Sequence, residues 1–422
     1  MAINIPRGTQ DILPQDIAVW RLLEDTAKEV CGLYNYGEIR TPMFEATDLF
    51  QRGVGDTTDI VQKEMYTFED RGGRSMTLRP EATASIVRSY IENKMHGWPN
   101  QPTKLFFIGP NFRYERPQAG RFRQFTVFDV EAIGSDDPTI DAEVISLAFD
   151  FYRRLGLKKL KLVINSLGDI ESRKAHRAAL IEHFRPSISE FCQDCQNRLE
   201  RNPLRILDCK VDRDHPLIKS APSILDYLND SSRHFFDKVK ATLDRMGIQY
   251  EVDPTLVRGL DYYNHTAFEI MGADFGAITT LCGGGRYSGL IKELGGPEVS
   301  GIGFGLSLER AILALKAEDI EQVQAPDLDC FLVTIDEQAE DIVVDLLYDL
   351  RRAGISADKD YMNRKVKGQF KQADRLQARL VAVIGDEEVA SGVITIKDMK
   401  TGEQESVALA EMKDYCLKKL EA

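Results

Sequence analysis

The chain has 422 residues, of which 43% are hydrophobic and 29% charged, and its formal net charge is −13. This length exceeds one compact core, so we expect two or three domains of a soluble globular protein. The negative charge argues against a protein that coats nucleic acid indiscriminately, although a local basic surface could still bind it. Seven cysteines in such a chain favour a reducing compartment over a disulfide framework. The N-terminus has no apolar signal core and no run is long enough to cross a bilayer, so we expect a cytoplasmic protein without a membrane partner.

The N-terminal part predicts a helix, an edge strand, a hairpin and a second helix. These elements span residues 17–34, 38–42, 66–79 and 84–94. The first helix is indicated by apolar side chains at helical spacing, and the hairpin by the turn around Gly72 and Gly73. Because Pro42 cannot donate a backbone hydrogen bond, its strand should lie at a sheet edge or at a subunit contact. Pro80 suits the start of the second helix.

A longer hairpin joins two apolar strands, at residues 104–108 and 125–133, through a loop crowded with arginines. Pro117 and Gly120 interrupt the connection between the strands. The loop and its borders contain Arg113, Arg116, Arg121 and Arg123. Their guanidinium groups would repel one another, so a bound polyanion explains the grouping better than stability does, and arginine grips phosphate with a planar fork of donors. The alternative is a solvated hairpin tip.

After a predicted helix at 139–155 and a strand at 160–164, residues 168–225 change character and predict an inserted helical subdomain. Cys192 and Cys195 precede Cys209 in this segment. Close cysteines suggest zinc, but a fourth ligand at conventional spacing is missing, and His215 is the nearest candidate. We therefore favour an ordinary subdomain and predict no metal ligands in the chain.

Glycine-rich segments follow a predicted helix at 231–246 and a strand at 266–270. The triple glycine at 283–285 resembles a phosphate loop, yet the sequence has neither GxxxxGK[ST] nor a GxGxxG pattern in a βαβ setting. Residues 301–306 predict a strand that enters a helix capped by Ser307. Arg310 then lies in the first helical turn, where the helix dipole opposes a cation, so we expect it to contact a ligand.

The pattern changes after residue 325 into alternating strands and helices. This alternation predicts a small α/β domain with a largely parallel sheet over residues 326–422. A basic stretch within it contains Lys365, Lys367, Lys371 and Arg375. On an acidic protein, such a stretch indicates either a nucleic-acid contact or a solvated helix face.

These motifs resemble the class II aminoacyl-tRNA synthetases, and more narrowly the bacterial histidyl-tRNA synthetases, over essentially the whole chain. The helix that leads to Pro42 resembles the dimer-forming motif of the class, residues 113–131 its second motif and residues 303–310 its third. Residues 258–263 and 284–287 resemble two signatures peculiar to the histidine enzymes.

The resemblance implies a catalytic domain and an anticodon-binding domain. The catalytic domain, residues 1–325, would be an α+β domain built on an antiparallel sheet flanked by helices, with the helical subdomain inserted at 168–225. The anticodon-binding domain would be the α/β segment at 326–422.

The implied activity is ATP-dependent ligation of L-histidine to tRNA(His) through a histidyl-adenylate, by a homodimer. Mg²⁺ would bridge the outer phosphates of ATP, and catalysis would rely on Arg113 and on Arg258, the latter at the α-phosphate where other members of the class use a metal. The implied ATP-binding residues are Arg113, Glu115, Arg121, Phe125 and Arg310. The implied tRNA-binding residues are Arg116 and Gln118 in the hairpin loop and Lys365, Lys367 and Lys371 in the C-terminal domain.

Recognition of imidazole needs a hydrogen-bond acceptor and hydroxyl partners, and a site built on hydrogen bonds discriminates strongly. The resemblance assigns this role to Glu131, Tyr263 and Tyr287, and it assigns the α-ammonium to Glu81 and Thr83. The full implied histidine-binding set is Glu81, Thr83, Val127, Glu131, Arg258, Leu260, Tyr262, Tyr263 and Tyr287.

The chain departs from the family's pattern at three positions. Val127 stands where glutamine is usual, Ala82 where glycine is usual and Ser288 where aspartate is usual. By the period of two along a strand, Val127 shares a face with Phe125, Asp129 and Glu131. Losing a hydrogen bond to a charged ammonium costs about 1.5–3 kcal/mol, or about one to two decades in binding. We predict weakened histidine affinity, or a duplicate enzyme specialised for a histidine-like ligand or for inhibitor resistance.

Two other classes of protein compete with a ligase. A non-catalytic histidine-sensing subunit, like the synthetase-derived regulator of ATP phosphoribosyltransferase, generally lacks the anticodon module and erodes the arginine signature. This chain has both the segment that resembles the anticodon module and the arginine signature. The signature consists of Arg113, Arg121, Arg258 and Arg310. A dinucleotide-binding oxidoreductase would need its glycine runs in a βαβ setting, which the sequence lacks. Catalysis is therefore the favoured interpretation.

Overall fold

The computed structural model describes residues 3–55, 58–258, 262–272, 280–320, 327–336 and 339–420. The chain divides into two compact units, Met1–Val323 and Gln324–Ala422. The domain boundary predicted after residue 325 falls outside the described residues and stays a prediction. Within the described ranges, no helix combines the length and the apolar composition that crossing a membrane requires.

The first unit contains helices and strands at nearly all of the predicted positions. Its helices are α1 (Ile17–Leu33), α2 (Thr47–Val54), α3 (Thr83–Glu92), α4 (Pro138–Arg154), α5 (Ile170–Phe184), α6 (Gln193–Arg201), α7 (Pro216–Lys219), α8 (Asp230–Arg245), α9 (Leu290–Glu293) and α10 (Leu308–Ala317). Its strands are β1 (Gly37–Glu38), β2 (Phe44–Ala46), β3 (Tyr66–Glu69), β4 (Ser75–Leu78), β5 (Thr103–Phe112), β6 (Gln124–Ile133), β7 (Leu160–Ser166), β8 (Tyr250–Val252), β9 (Tyr263–Gly272), β10 (Thr280–Tyr287) and β11 (Gly301–Ser307).

Among the described residues, eight strands form the main sheet in the order β1-β5-β6-β11-β10-β9-β7-β8. Every pairing from β5 through β7 is antiparallel, whereas the edge strands β1 and β8 pair in parallel with their neighbours. The predicted antiparallel sheet is confirmed, as is the edge position of the strand before Pro42. The predicted hairpin of β3 and β4 is also confirmed, and it forms a separate sheet with β2.

The main sheet has one apolar face and one face that lines a cavity, because successive side chains of a strand point to opposite sides. Phe128 and Val130 of β6 join a buried core with α1, α4, α8 and α10. Val127, Asp129 and Glu131 point the other way and line a cavity. Burial of the large apolar face is the main force that holds the sheet in place.

The triple glycine is not a phosphate loop. Gly283, Gly284 and Gly285 lie inside β10, paired on both sides. A Cβ at Gly283 would collide with the guanidinium of Arg258, and a Cβ at Gly284 would collide with the ring of Phe268. These glycines therefore give space to their neighbours in a crowded sheet.

The predicted insert contains α5, α6 and α7, joined by short 3-10 turns. Its core includes Phe184, Phe191 and Leu199, and this core is continuous with Tyr263 and Ala267 of β9. The insert therefore packs directly against a strand of the catalytic sheet.

The second unit is an α/β domain with a mixed sheet. Its elements are β12 (Cys330–Thr334), α11 (Glu340–Arg352), β13 (Ala357–Lys359), α12 (Val366–Arg375), β14 (Leu380–Ile384), α13 (Asp386–Ser391), β15 (Val393–Asp398), β16 (Gln404–Ala408) and α14 (Met412–Leu420). β13, β12 and β14 are parallel, but β15 runs antiparallel to both of its neighbours. The prediction of a largely parallel sheet is therefore wrong for β15 and β16. A parallel pairing needs a crossover connection of about a dozen residues, and the connections that precede β15 and β16 are shorter. β16 was not predicted.

A buried ion pair ties the sheet to α4. Arg286 of β10 is 1% exposed, and its Nε donates to Oδ1 of Asp141 at 3.0 Å. Its Nη1 also donates to the carbonyl of Ser135 and to Oγ of Ser300, both at 2.7 Å. Although Arg286 belongs to a signature of the resembled family, it points away from the cavity and has a structural role.

Asp141→Ala should destabilise the first unit by about 3–5 kcal/mol, because it leaves a buried guanidinium without its counter-charge. Denaturant unfolding monitored by intrinsic fluorescence measures the loss. Glu29→Ala is the control, since it removes the carboxylate of an exposed pair with Arg154 and should cost only about 0–1 kcal/mol. Equal effects of the two substitutions would contradict this role for the pair.

Candidate active site

A cavity of about 220 Å³ lies on the face of the main sheet opposite its apolar core. Arginines from distant parts of the chain line this cavity. Arg113 follows β5, Arg121 lies in the hairpin loop, Arg258 follows β8 and Arg310 lies in the first turn of α10. The antiparallel order of the strands brings these four positions to one place. The four arginines that the sequence analysis grouped as the arginine signature therefore line one cavity in the structure.

Three of the arginines are held by hydrogen bonds at the wall of the cavity. Nε of Arg113 donates to the carbonyl of Pro80 at 2.8 Å, and its guanidinium lies 5.5 Å from the ring centre of Phe125. Arg121 donates to Glu115 at 3.1 Å. Arg310 donates to the carbonyls of Gly120 and Thr280, at 3.1 and 2.8 Å. Burial, and then the charge of Arg121, lower the pKa of Arg310.

Arg258 forms an ion pair with Glu269 of β9 beneath the cavity. Its guanidinium occupies the space left by Gly283, and its Nε has no hydrogen-bond partner among the described residues. The guanidinium lies 5.7 Å from the ring centre of Tyr263. Sequence reasoning did not identify Glu269, which orients Arg258.

Buried carboxylates also line the cavity. Glu131 accepts hydrogen bonds from Oγ1 of Thr83 at 2.6 Å and from the hydroxyl of Tyr287 at 2.7 Å. Burial raises the pKa of Glu131 to about 8, although the two hydrogen bonds oppose the shift. Glu131 therefore sits in a site where a nearby cation would favour its charged form.

Two further carboxylates lie near Glu131. Glu81 accepts from the backbone N–H of Ala84 at 2.8 Å, so it binds the N-terminus of α3, which begins at Thr83 rather than at Pro80. Burial raises the pKa of Glu81. Burial, and then the charges of Glu131 and Glu81, also raise the pKa of Asp129 well above its usual range.

Asp129 also lines the cavity. The sequence analysis placed it on the same strand face as Val127 and Glu131 but gave it no binding role. It is 7% exposed, and its Oδ2 has no hydrogen-bond partner in the described part of the chain. The signal was the period of two that it shares with Val127 and Glu131. A buried carboxylate with an unused acceptor indicates a place for a cationic ligand group.

Glycines of β11 make room for these carboxylates. Gly303 pairs with Glu131 and Gly305 pairs with Asp129 across the two strands. A Cβ at Gly303 would collide with the carboxylate of Glu131, and a Cβ at Gly305 would collide with that of Asp129. The glycines of the third motif thus permit the carboxylates to lie close to the backbone of β11.

Aromatic rings complete the wall near the carboxylates. The ring centres of Tyr262 and Tyr263 are 4.6 Å apart, and those of Tyr262 and Tyr287 are 5.6 Å apart. Val127 is 6% exposed and lines the same region. Leu260, also expected to bind histidine, lies outside the described residues.

The residues expected to bind tRNA lie elsewhere. Arg116 and Gln118 are exposed in the hairpin loop. Lys365, Lys367 and Lys371 are exposed in the second unit, along α12 and at its start. Arg123, part of the same arginine group in the sequence, lies 3.8 Å from the ring centre of Tyr114 and packs the loop instead.

Comparisons with known proteins identify the family of the chain. A family model described as histidyl-tRNA synthetase matches residues 8–311, and one described as an anticodon binding domain matches residues 329–419. The Histidine--tRNA ligase of Geobacillus sp. (strain WCH70) is 66% identical over 422 residues and covers 100% of both chains. The Histidine--tRNA ligase 2 of Bacillus cereus (strain ATCC 14579) is 62% identical over 422 residues, again with 100% coverage of both.

A solved structure shows the same fold. The chain is similar to the apo histidyl-tRNA synthetase of S. aureus, with 53% sequence identity and a TM-score of 0.85, covering 98% of this chain and 99% of that one. The matched family model spans most of the chain, and the relatives are similar along its full length. The chain therefore belongs to the histidyl-tRNA synthetase family.

Proposed function

We propose that the protein uses ATP to ligate L-histidine to tRNA(His) through a histidyl-adenylate, a step of protein biosynthesis. The carboxylate of histidine attacks the α-phosphorus of ATP and pyrophosphate leaves; the terminal ribose hydroxyl of the tRNA then attacks the adenylate and AMP leaves. The observation that carries this proposal is one cavity lined by four guanidinium groups and by three buried carboxylates. Full-length relatives named as ligases favour it over a regulatory paralogue.

The four arginines suit a nucleotide triphosphate. Arg113 and Arg258 would stabilise charge at the α-phosphate, and Arg121 and Arg310 would hold the outer phosphates and the adenine. Phe125, beside Arg113, offers a ring on which adenine would stack. Because such a transfer needs positioning and charge neutralisation, no covalent catalyst is required.

Glu115 lies among these arginines and is the carboxylate suited to Mg²⁺, which binds oxygen ligands and usually arrives with substrate phosphates. Glu64, whose pKa is raised by burial and by the charge of Glu115, is a second acid nearby. When bound, Mg²⁺ would neutralise charge on the outer phosphates.

The buried carboxylates suit histidine. Glu131, held by Tyr287, would accept an imidazole N–H, and the hydroxyl of Tyr263 would add a polar contact. Glu81, Thr83 and Asp129 would surround the α-ammonium, so Asp129 would partly replace the contact that Val127 cannot make. This arrangement places the carboxylate of histidine toward Arg113 and Arg258.

Partners beyond the cavity are part of the same proposal. Arg116 and Gln118 would contact the acceptor end of the tRNA, and Lys365, Lys367 and Lys371 its anticodon region. We expect a cytoplasmic homodimer. Exposed apolar side chains in the segments that precede and follow β1 in sequence, Leu33, Met43 and Phe44, support a subunit contact there.

Pyrophosphate exchange run with each amino acid in turn tests the proposed function. We expect exchange with histidine and none above background with the others, and we expect Arg258→Ala to lose most of the rate, by about 10²–10³-fold for one charge-stabilising donor. Arg123→Ala is the control, because its guanidinium packs the loop outside the cavity. Exchange that is independent of histidine would refute the proposal.

Val127→Gln should lower the histidine KM by about one to two decades, because an amide would add a hydrogen bond to the ammonium. Val127→Met is the matched control, since it has similar length without the amide. The ATP KM should stay constant in both. An unchanged histidine KM in Val127→Gln would contradict this prediction and would indicate that Asp129 already satisfies the ammonium.

Glu131→Gln should change the pH dependence of stability in the absence of ligands. Because burial raises the folded pKa of Glu131 from 4.5 to about 8, its protonated form favours the folded protein; this contribution is complete below the unfolded pKa and is lost as pH rises through the folded one. The variant should therefore gain stability relative to wild type between about pH 5 and pH 8. Urea unfolding at several pH values measures this, with Glu29→Gln as control for the loss of a surface carboxylate. Parallel profiles for wild type and Glu131→Gln would show that the residue does not titrate in this way.

A further inference from the structure

A cluster of three thiols and one carboxylate lies in the insert, outside the catalytic cavity. Its ligand atoms belong to Cys192, Cys195, Cys209 and Asp212, and they all lie within 4.8 Å of one another. We propose that this cluster binds a structural Zn²⁺ ion. The proposal does not depend on the proposed ligase activity.

The sequence spacing fits a zinc site once the fourth ligand is known. Cys192 and Cys195 are separated by two residues, as are Cys209 and Asp212. Two such pairs with a short helical segment between them resemble the paired knuckles of structural zinc sites, with Asp212 in place of the last cysteine. The sequence interpretation missed the site because an aspartate is a far commoner residue than a cysteine and carries no signal alone.

The distances within the cluster match tetrahedral coordination. With Zn–S bonds of about 2.3 Å, two sulfur ligands of a tetrahedral ion lie about 3.8 Å apart. Sγ of Cys192 and Sγ of Cys209 are 3.7 Å apart. A sulfur and a carboxylate oxygen on one ion would lie about 3.5–3.6 Å apart, and Sγ of Cys209 and Oδ2 of Asp212 are 3.4 Å apart.

Local hydrogen bonds hold the ligands in place. The backbone N–H of Cys192 donates to Oδ2 of Asp212 at 3.1 Å, and the backbone N–H of Asp212 lies 3.4 Å from Sγ of Cys209. Such outer contacts orient metal ligands in other proteins. Cys195 and Cys209 are buried, so the ion would be shielded from solvent.

His215, the fourth ligand considered from the sequence, has another role. Its Nδ1 accepts from the backbone N–H of Leu217 at 3.2 Å, which caps α7, and its ring centre lies 4.2 Å from that of Phe191. The histidine therefore packs beside the cluster rather than within it.

The position of the cluster gives the ion a structural role. The insert consists of short helices and turns, and small units of this kind often need a metal or another cross-link for stability. The ion would join the start of α6 to the turn at residues 209–212. Because Cys195 and Cys209 belong to the same apolar core as Tyr263, this cross-link would also support one wall of the catalytic cavity.

Metal analysis of the full-length protein, purified without a metal-affinity tag or chelator, tests the proposal. We expect about one zinc per chain, three thiols protected from a thiol reagent until a mercurial releases the metal, and thiolate-to-metal absorption after exchange with Co²⁺. Reduced protein that takes up no zinc from added Zn²⁺ would overturn the proposal. So would a Cys192–Cys209 disulfide in place of bound metal.

Variants identify the ligands. Cys209→Ser and Asp212→Asn should bind zinc at least about tenfold more weakly, whereas His215→Ala and Asp214→Asn, which changes an exposed acid beside the cluster, should keep full stoichiometry. Cys416→Ala, in the second unit, is the cysteine control. Zinc loss in His215→Ala with retention in Asp212→Asn would refute the assignment of Asp212. Because the wild-type measurement needs no variant, a substitution that fails to fold leaves the test intact.

Discussion

The meeting of four guanidinium groups and three buried carboxylates in one cavity governs the chemistry of the site. Arg113, Arg121, Arg258 and Arg310 line this cavity together with Glu81, Asp129 and Glu131. Burial disfavours each carboxylate in its charged form and raises its pKa. Under the proposed function, the arginines would meet the triphosphate of ATP, and the carboxylates would meet the cationic groups of histidine.

The sheet supports this arrangement through its alternation and its glycines. The same strand, β6, sends Phe128 and Val130 into the apolar core and Asp129 and Glu131 into the cavity. Gly303 and Gly305 lie opposite the two carboxylates, and Gly283 lies against Arg258. Small residues in the neighbouring strands thus let large charged groups occupy the sheet surface, while the buried pair of Arg286 and Asp141 fixes β10 against α4.

Much of this architecture could be predicted from the sequence, because local patterns carry it. Amphipathic spacing identified α1 and α8, the arginine-rich hairpin identified β5 and β6, and Ser307 marked the start of α10, where its side chain accepts from the N–H of Arg310. What the sequence could not give was long-range pairing. Glu269 is an ordinary strand residue until β9 brings it to Arg258, and Asp212 is an ordinary turn residue until the insert folds around three cysteines. The connections before β15 and β16 are too short for a parallel crossover, so both strands pair antiparallel. The prediction of a largely parallel sheet did not take the length of these connections into account.

A crystal structure with histidyl-sulfamoyl-adenosine, in which a sulfamate replaces the phosphate of the adenylate, would show whether these side chains act together on one ligand. We predict that Arg113 and Arg258 contact the sulfamate, that adenine stacks on Phe125, and that an imidazole nitrogen lies within hydrogen-bond distance of Glu131. Binding of the imidazole away from Glu131, or arginines turned away from the sulfamate, would refute this prediction.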